Sequence, residues 1–187
     1  MIHKITTPLE KNTIKELKAG DRVALNGYIY TARDAAHAKM FDLMEKGKPL
    51  PFDIVGQLIY HVGPCPEKPG QVIGSAGPTT SGRMDFYTPK LIQLGLGGII
   101  GKGNINSDVI SAIKQNEAVY FGAIGGTGAL ISKCISKQEI IAFEELGTEA
   151  VRKIKVNDFS VIVVVDSYGN NLYESGRKKY NILSVNK

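Results

Sequence analysis

The sequence predicts an α/β domain with a mixed sheet, and three observations carry that expectation. Strand-like and helix-like segments alternate along the chain, as they do where helices cover a sheet. Val161-Ile162-Val163-Val164-Val165 is an unbroken apolar run, typical of a central strand with both faces covered. A third stretch, Gly77-Pro78-Thr79-Thr80-Ser81-Gly82-Arg83-Met84-Asp85, gathers glycines, hydroxyls and a guanidinium ahead of a helix start. Backbone N–H groups and a helix N-terminus favour an anion there.

Taken in order, residues 11–20 read as a short helix through Ile14 and Leu17, closed by Gly20. Residues 22–31 alternate as a strand, with Val23, Leu25, Tyr28 and Tyr30 as its apolar members. Residues 33–46 form a helix whose stripe is Ala36, Met40, Leu43 and Met44, ending at Gly47. Arg33 and His37, four apart, share its other face. Residues 54–62 are the next strand, and residues 64–70 a proline-rich loop. A strand-like run, 71–75, leads into the hydroxyl-rich stretch. Thr88 as N-cap and Pro89 at the first helical position then open a short helix closed by Gly95. Ile99 and Ile100 make a buried strand ending in Gly101-Lys102-Gly103. Ser107 caps a helix reaching Asn116, residues 118–124 are a strand, and residues 129–135 a helix. Residues 138–144 are predicted as a strand, 149–156 as a helix, 160–166 as the central strand, and 172–174 as an edge. No repeat, low-complexity stretch or linker interrupts residues 1–187, which read as a single domain.

Composition narrows the function classes. The chain has 43% hydrophobic and 22% charged residues, ordinary for a globular protein. A chain of this length buries roughly 70% of its unfolded surface and needs no disulfide or metal to hold a core. No apolar run approaches the ~20 residues of a membrane span. Met1-Ile2-His3-Lys4 lacks the apolar core of a signal peptide, so a cytoplasmic protein is expected. The net charge is +5, but the basic residues are dispersed, which argues against nucleic acid. A small anion steered by a few converging cations suits them better. The two cysteines, Cys65 and Cys134, are far apart in sequence and the three histidines are scattered, so no metal site is expected. Cys134 reads as a core thiol beside Leu130 and Ile131, and Cys65 has no assigned role.

Arg33, Arg83 and Lys102 each follow a predicted strand, where α/β sheets bind ligands. Singly, Lys102 reads first as a solvated loop lysine and Arg33 as a helix-start residue paired with a carboxylate. Together with Thr79 and Thr80, three cations suit a dicarboxylate better than a monoanion. The glycines of 95–103 and 122–128 spell neither a dinucleotide fingerprint nor a P-loop. His3 and His61 carry no signal.

Gly77 to Asp85 resembles the signature of the β subunit, or C-terminal domain, of class I fumarases and L(+)-tartrate dehydratases. Ala32-Arg33-Asp34-Ala35-Ala36-His37, Gly98-Ile99-Ile100-Gly101-Lys102-Gly103 and the strand from Asp158-Phe159-Ser160 to Asp166 extend the likeness across most of the chain. The resemblance implies a swivelling β/β/α fold. It also implies reversible hydration of a small dicarboxylate, malate to fumarate first and L-tartrate to oxaloacetate second. A [4Fe-4S] cluster would be carried by a larger α subunit and act as a Lewis acid. The implied assembly is α2β2 with a β–β dimer. Matched motif to motif, Thr79 would be the general base. Arg33, Arg83 and Lys102 would bind substrate, His37 and Thr80 would help to position it, and Asp85 would orient the loop or its arginines. A non-catalytic anion-binding module of the same fold is the alternative.

Overall fold

In the computed structural model, residues 1–181 are described. Seven strands form a mixed sheet: β1 (Ile2–Thr6), β2 (Arg22–Thr31), β3 (Leu58–Tyr60), β4 (Gly98–Gly101), β5 (Val119–Gly122), β6 (Ile135–Ala142) and β7 (Val151–Val165). The helices are α1 (Lys11–Glu16), α2 (Asp34–Glu45), α3 (Thr88–Gln93), α4 (Ser107–Asn116), α5 (Gly128–Lys133) and α6 (Leu172–Tyr180). A 3-10 segment covers Ser81–Met84, and two 3-10 turns joined by a kink at Gly147 cover Glu144–Glu149.

Strands β2, β3, β4 and β5 run parallel in that order, and β7 pairs antiparallel with both β5 and β2. The ring β2-β3-β4-β5-β7 therefore closes on itself as a small barrel. β1 lies beside β2, and β6 beside β7. Closure is possible because β2 and β7 are long. One edge of β2 serves β1 and then β3, while β7 faces it along most of its length.

Alternation along the strands separates two cores. Leu25, Leu58, Tyr60, Ile100, Phe121, Ile154 and Phe159 face one way, joined by Ile14 and Leu17 from the α1 region and Ile131 from α5. Tyr30, Ile59, Ile99, Tyr120 and Val164 face the other way, against Met40 of α2, Leu91 and Ile92 of α3, and Val109 and Ile113 of α4. The helices that connect parallel strands thus pack on the outside.

Several expectations are corrected. The stretch 149–156 is not an α-helix: Glu149 ends a 3-10 segment and residues 151–156 begin β7. The i,i+3 spacing of Val151 and Ile154 looks helical, but pairing with β2 and β6 on both edges overrides it. Residues 172–174 open α6 rather than an edge strand. Residues 71–75 are loop. The cap of α3 is Tyr87, and Thr88 Oγ1 instead donates to Met84 O at 2.9 Å. The cap of α4 is Asn106, whose side chain accepts from Val109 N. β1 escaped the sequence reading, since only Ile5 of its five residues is buried. Among the described residues no helix is long and apolar enough to cross a membrane.

Candidate active site

The parallel strands β2, β3, β4 and β5 end toward one rim of the barrel, and the residues just beyond them are Arg33, His61, Lys102 and Ala123. The hydroxyl-rich stretch crosses that rim as an improvised extra strand. Thr79 N donates to His61 O at 2.8 Å, Lys102 N to Thr79 O at 3.2 Å, and Ser81 N to Lys102 O at 2.9 Å. Thr80 and Lys102 are bridge partners in a parallel sense. Backbone pairing therefore sets Thr79, Thr80 and Lys102 side by side. Thr79 is half-buried, and Thr80 and Lys102 are exposed.

After Ser81 the chain tightens into the 3-10 turn, which turns Arg83 toward α2. Arg83 Nε donates to Asp34 Oδ1 at 2.8 Å. The other oxygen of Asp34 lies 3.6 Å from Arg33 Nη2, an ion pair rather than a hydrogen bond. Glu149 Oε1 is 3.5 Å from the same nitrogen. Asp34, the first residue of α2, thus organises both guanidinium groups, and Arg33 is the less exposed of the two (21% against 52%). Among the described residues no acceptor engages the Nη nitrogens of Arg83, which leaves a pair of donors for an incoming carboxylate.

Lys102 borders an open cavity of about 250 Å3 lined by Gly122, Gly125, Ile162, Leu172 and Tyr173. Its Nζ lies 3.9 Å from where a side chain on Gly125 would begin. Asp85 accepts from Asn106 N at 2.7 Å and makes no contact with either arginine. It therefore orients the loop, and burial raises its carboxyl above the usual carboxylate range.

His37 does not share an outer face with Arg33. It is 1% exposed, with Nδ1 2.9 Å from Arg33 O. Burial pushes it down to about 4. Its ring meets His61 edge-on, with centroids 5.3 Å apart. His61 is fully buried, lies 3.1 Å from Ser81 Oγ through Nδ1, and is held well below the ordinary histidine range by burial and by His37. Sequence reasoning missed His61 and Ser81. No sequence signal marked them; in the fold, Gly101 stands where bulk is forbidden, since a Cβ there would lie 2.0 Å from Ser81 Oγ and 3.2 Å from His61 Nδ1.

The described residues contain no group of three His, Cys, Asp or Glu side chains that could hold a metal ion. Cys65 is exposed, Cys134 is half-buried, and burial raises the Cys134 thiol. Two thiols cannot supply the three or four thiolates of an iron–sulfur cluster. The residues of this chain do not fit that group.

The family described as fumarase C-terminus matches residues 3–176. The chain belongs to that family. It is 41% identical over 177 residues to a putative L(+)-tartrate dehydratase subunit β from Methanocaldococcus jannaschii, with 91% of each chain covered. It is 43% identical to fumarate hydratase 2 of Leishmania major and 39% identical to the aerobic class I fumarate hydratase of Escherichia coli, covering 89% and 86% of itself. Of each of those two enzymes this fumarase C-terminus domain spans 30%. All three names are those of hydro-lyases or their subunits, so the chain is a member of a hydro-lyase family.

Proposed function

We propose that this chain is the β subunit of an iron–sulfur hydro-lyase that reversibly hydrates a small dicarboxylate in the cytoplasm. The observation that carries the reading is convergence on one rim. Thr79 and Thr80 are laddered to Lys102, and Arg83 and Arg33 are joined through Asp34. Two guanidinium groups and an ammonium can hold two carboxylates, which a monoanion site would not require. Arg83, with its Nη edge free, takes one carboxylate, while Arg33, steadied by Asp34 and Glu149, and Lys102 serve the other.

Thr79 is the proposed general base, removing the proton from the carbon next to the departing hydroxyl. An alcohol performs this step only where positive charge stabilises its alkoxide, and the ladder sets Lys102 beside it. Thr80 and His37 position the substrate and the Arg33 peptide, respectively. The [4Fe-4S] cluster belongs to a partner α subunit, because the donor set here does not fit one. The chain covers 91% of a tartrate dehydratase β subunit and 30% of a fumarate hydratase. An α2β2 assembly with a β–β dimer, built on residues 1–187 as one swivelling β/β/α domain, follows from the same reading.

Malate to fumarate is the first substrate pair. L-Tartrate to oxaloacetate is the second, favoured by the end-to-end match to a tartrate dehydratase subunit. Anaerobic co-expression with a cysteine-bearing large subunit, then ultraviolet assays on L-malate and L-tartrate, tests both. Turnover of either is expected. A stable, cluster-loaded complex inert toward both would leave a non-catalytic anion-binding module instead.

A further inference from the structure

His61 holds the rim segment by its ring and by its main chain. Its Nδ1 lies 3.1 Å from Ser81 Oγ, and both residues are fully buried. The main chain of His61 adds a second hold, its carbonyl accepting from Thr79 N at 2.8 Å and its amide donating to Ile100 O at 2.8 Å. His37 has a fixed tautomer, because Nδ1 faces a carbonyl that can only accept. In both rings Nε2 is buried without a partner.

We propose that His61 is a positioning residue of the hydration site, gripping Thr79 through its carbonyl and Ser81 through its ring, so that base and lysine are presented together. The inference rests on reading Thr79 and Lys102 as substrate-facing. His61 is fully buried and cannot itself touch a substrate. What it governs is the placement of the Thr79–Ser81 segment, whose backbone pairs with Lys102. Gly101 is required for the same reason, since any side chain there would occupy the volume of the Ser81 hydroxyl. The ring contact to Ser81 and the main-chain contact to Thr79 hold one short segment at two points, so removing the ring contact loosens it.

Three variants test it: His61→Phe, which keeps a ring without polar atoms; His61→Asn, whose amide can still hydrogen-bond Ser81; and Ser81→Ala, which removes the hydroxyl and leaves the imidazole. In the full chain, amide hydrogen exchange at Thr79 and Ser81 should quicken about tenfold in His61→Phe and Ser81→Ala and recover in His61→Asn. In the complex with the large subunit, kcat should fall about tenfold to a hundredfold with KM within about threefold. The double variant His61→Phe/Ser81→Ala should be no worse than the poorer single one. Unchanged exchange in Ser81→Ala, additive losses in the double variant, or a change confined to KM would each overturn the proposal. Should His61→Phe fail to fold, Ser81→Ala and His61→Asn still decide. A wild-type complex without turnover would instead sink the hydro-lyase reading, while exchange at Thr79 would still report whether His61 holds the segment.

Discussion

At the scale of single residues, Asp34 has the largest influence for its size. It ties Arg83 to Arg33, so the two cations of the site are held at a set separation before any ligand arrives. Arg83→Ala is expected to lower kcat/KM in the reconstituted enzyme by at least about a hundredfold, the cost of a lost charge-assisted carboxylate contact and its orientation. Because Arg83 is half-exposed, the thermal midpoint should move by no more than a few degrees. Near-normal activity would remove Arg83 from the site. His37 permits a second expectation. Its folded value is about 4 against an ordinary 6.5, so the unfolded chain binds the proton more readily. Stability from this residue is therefore full above about pH 6.5 and declines as pH falls toward 4, by roughly 3 kcal/mol. His61 shifts in the same direction. Urea unfolding at pH 7 and pH 4.5 should show this loss, and His37→Gln should flatten it.

At the scale of elements, β7 decides the architecture. Its 15 residues bend at Asn157-Asp158, where Asp158 adopts φ 49°. Asp158 N donates to Asn26 Oδ1 at 3.0 Å. The register with β2 slips at the same place, between Leu25 and Gly27, a β-bulge that increases local twist. This bend lets one strand serve β6 and β2 in its first half, and β2 and β5 in its second. β4 is the other decisive element, because its last residue must be Gly101. Gly101→Ala should destabilise the chain by about 1–3 kcal/mol through overpacking against Ser81. Adding Ser81→Ala should recover part of that loss. Chemical denaturation of the single and double variants measures it, and equal stability of Gly101→Ala and wild type would contradict the close packing.

At the scale of the whole molecule, the proposed function makes the rim one wall of a site. It carries cations and hydroxyls but no thiolate set, and a dicarboxylate bound to it would leave one side open to solvent. The isolated chain is therefore expected to show no measurable turnover of L-malate or L-tartrate, and activity should appear only on adding the large subunit. Turnover by the purified chain alone, free of co-purifying protein, would contradict the division of labour proposed here.

Much of this was legible in the sequence. Local rules sufficed for β2, α2, α4 and the core of β7, because apolar periodicity and glycine stops are written in consecutive residues. The signature Gly77 to Asp85, with Arg33 and Lys102 at strand ends, was enough to nominate the cations and the proposed base. Long-range pairing supplied the rest. The barrel closes only because β7 meets β2, a contact between segments more than a hundred residues apart, so no local pattern announces it. His61 looked featureless for the same reason: its contacts are with Ser81, twenty residues on, with Thr79, and with Ile100 on another strand. Periodicity is a property of neighbours in sequence. Buried hydrogen bonds are a property of neighbours in space, and only the packed fold brings their partners together.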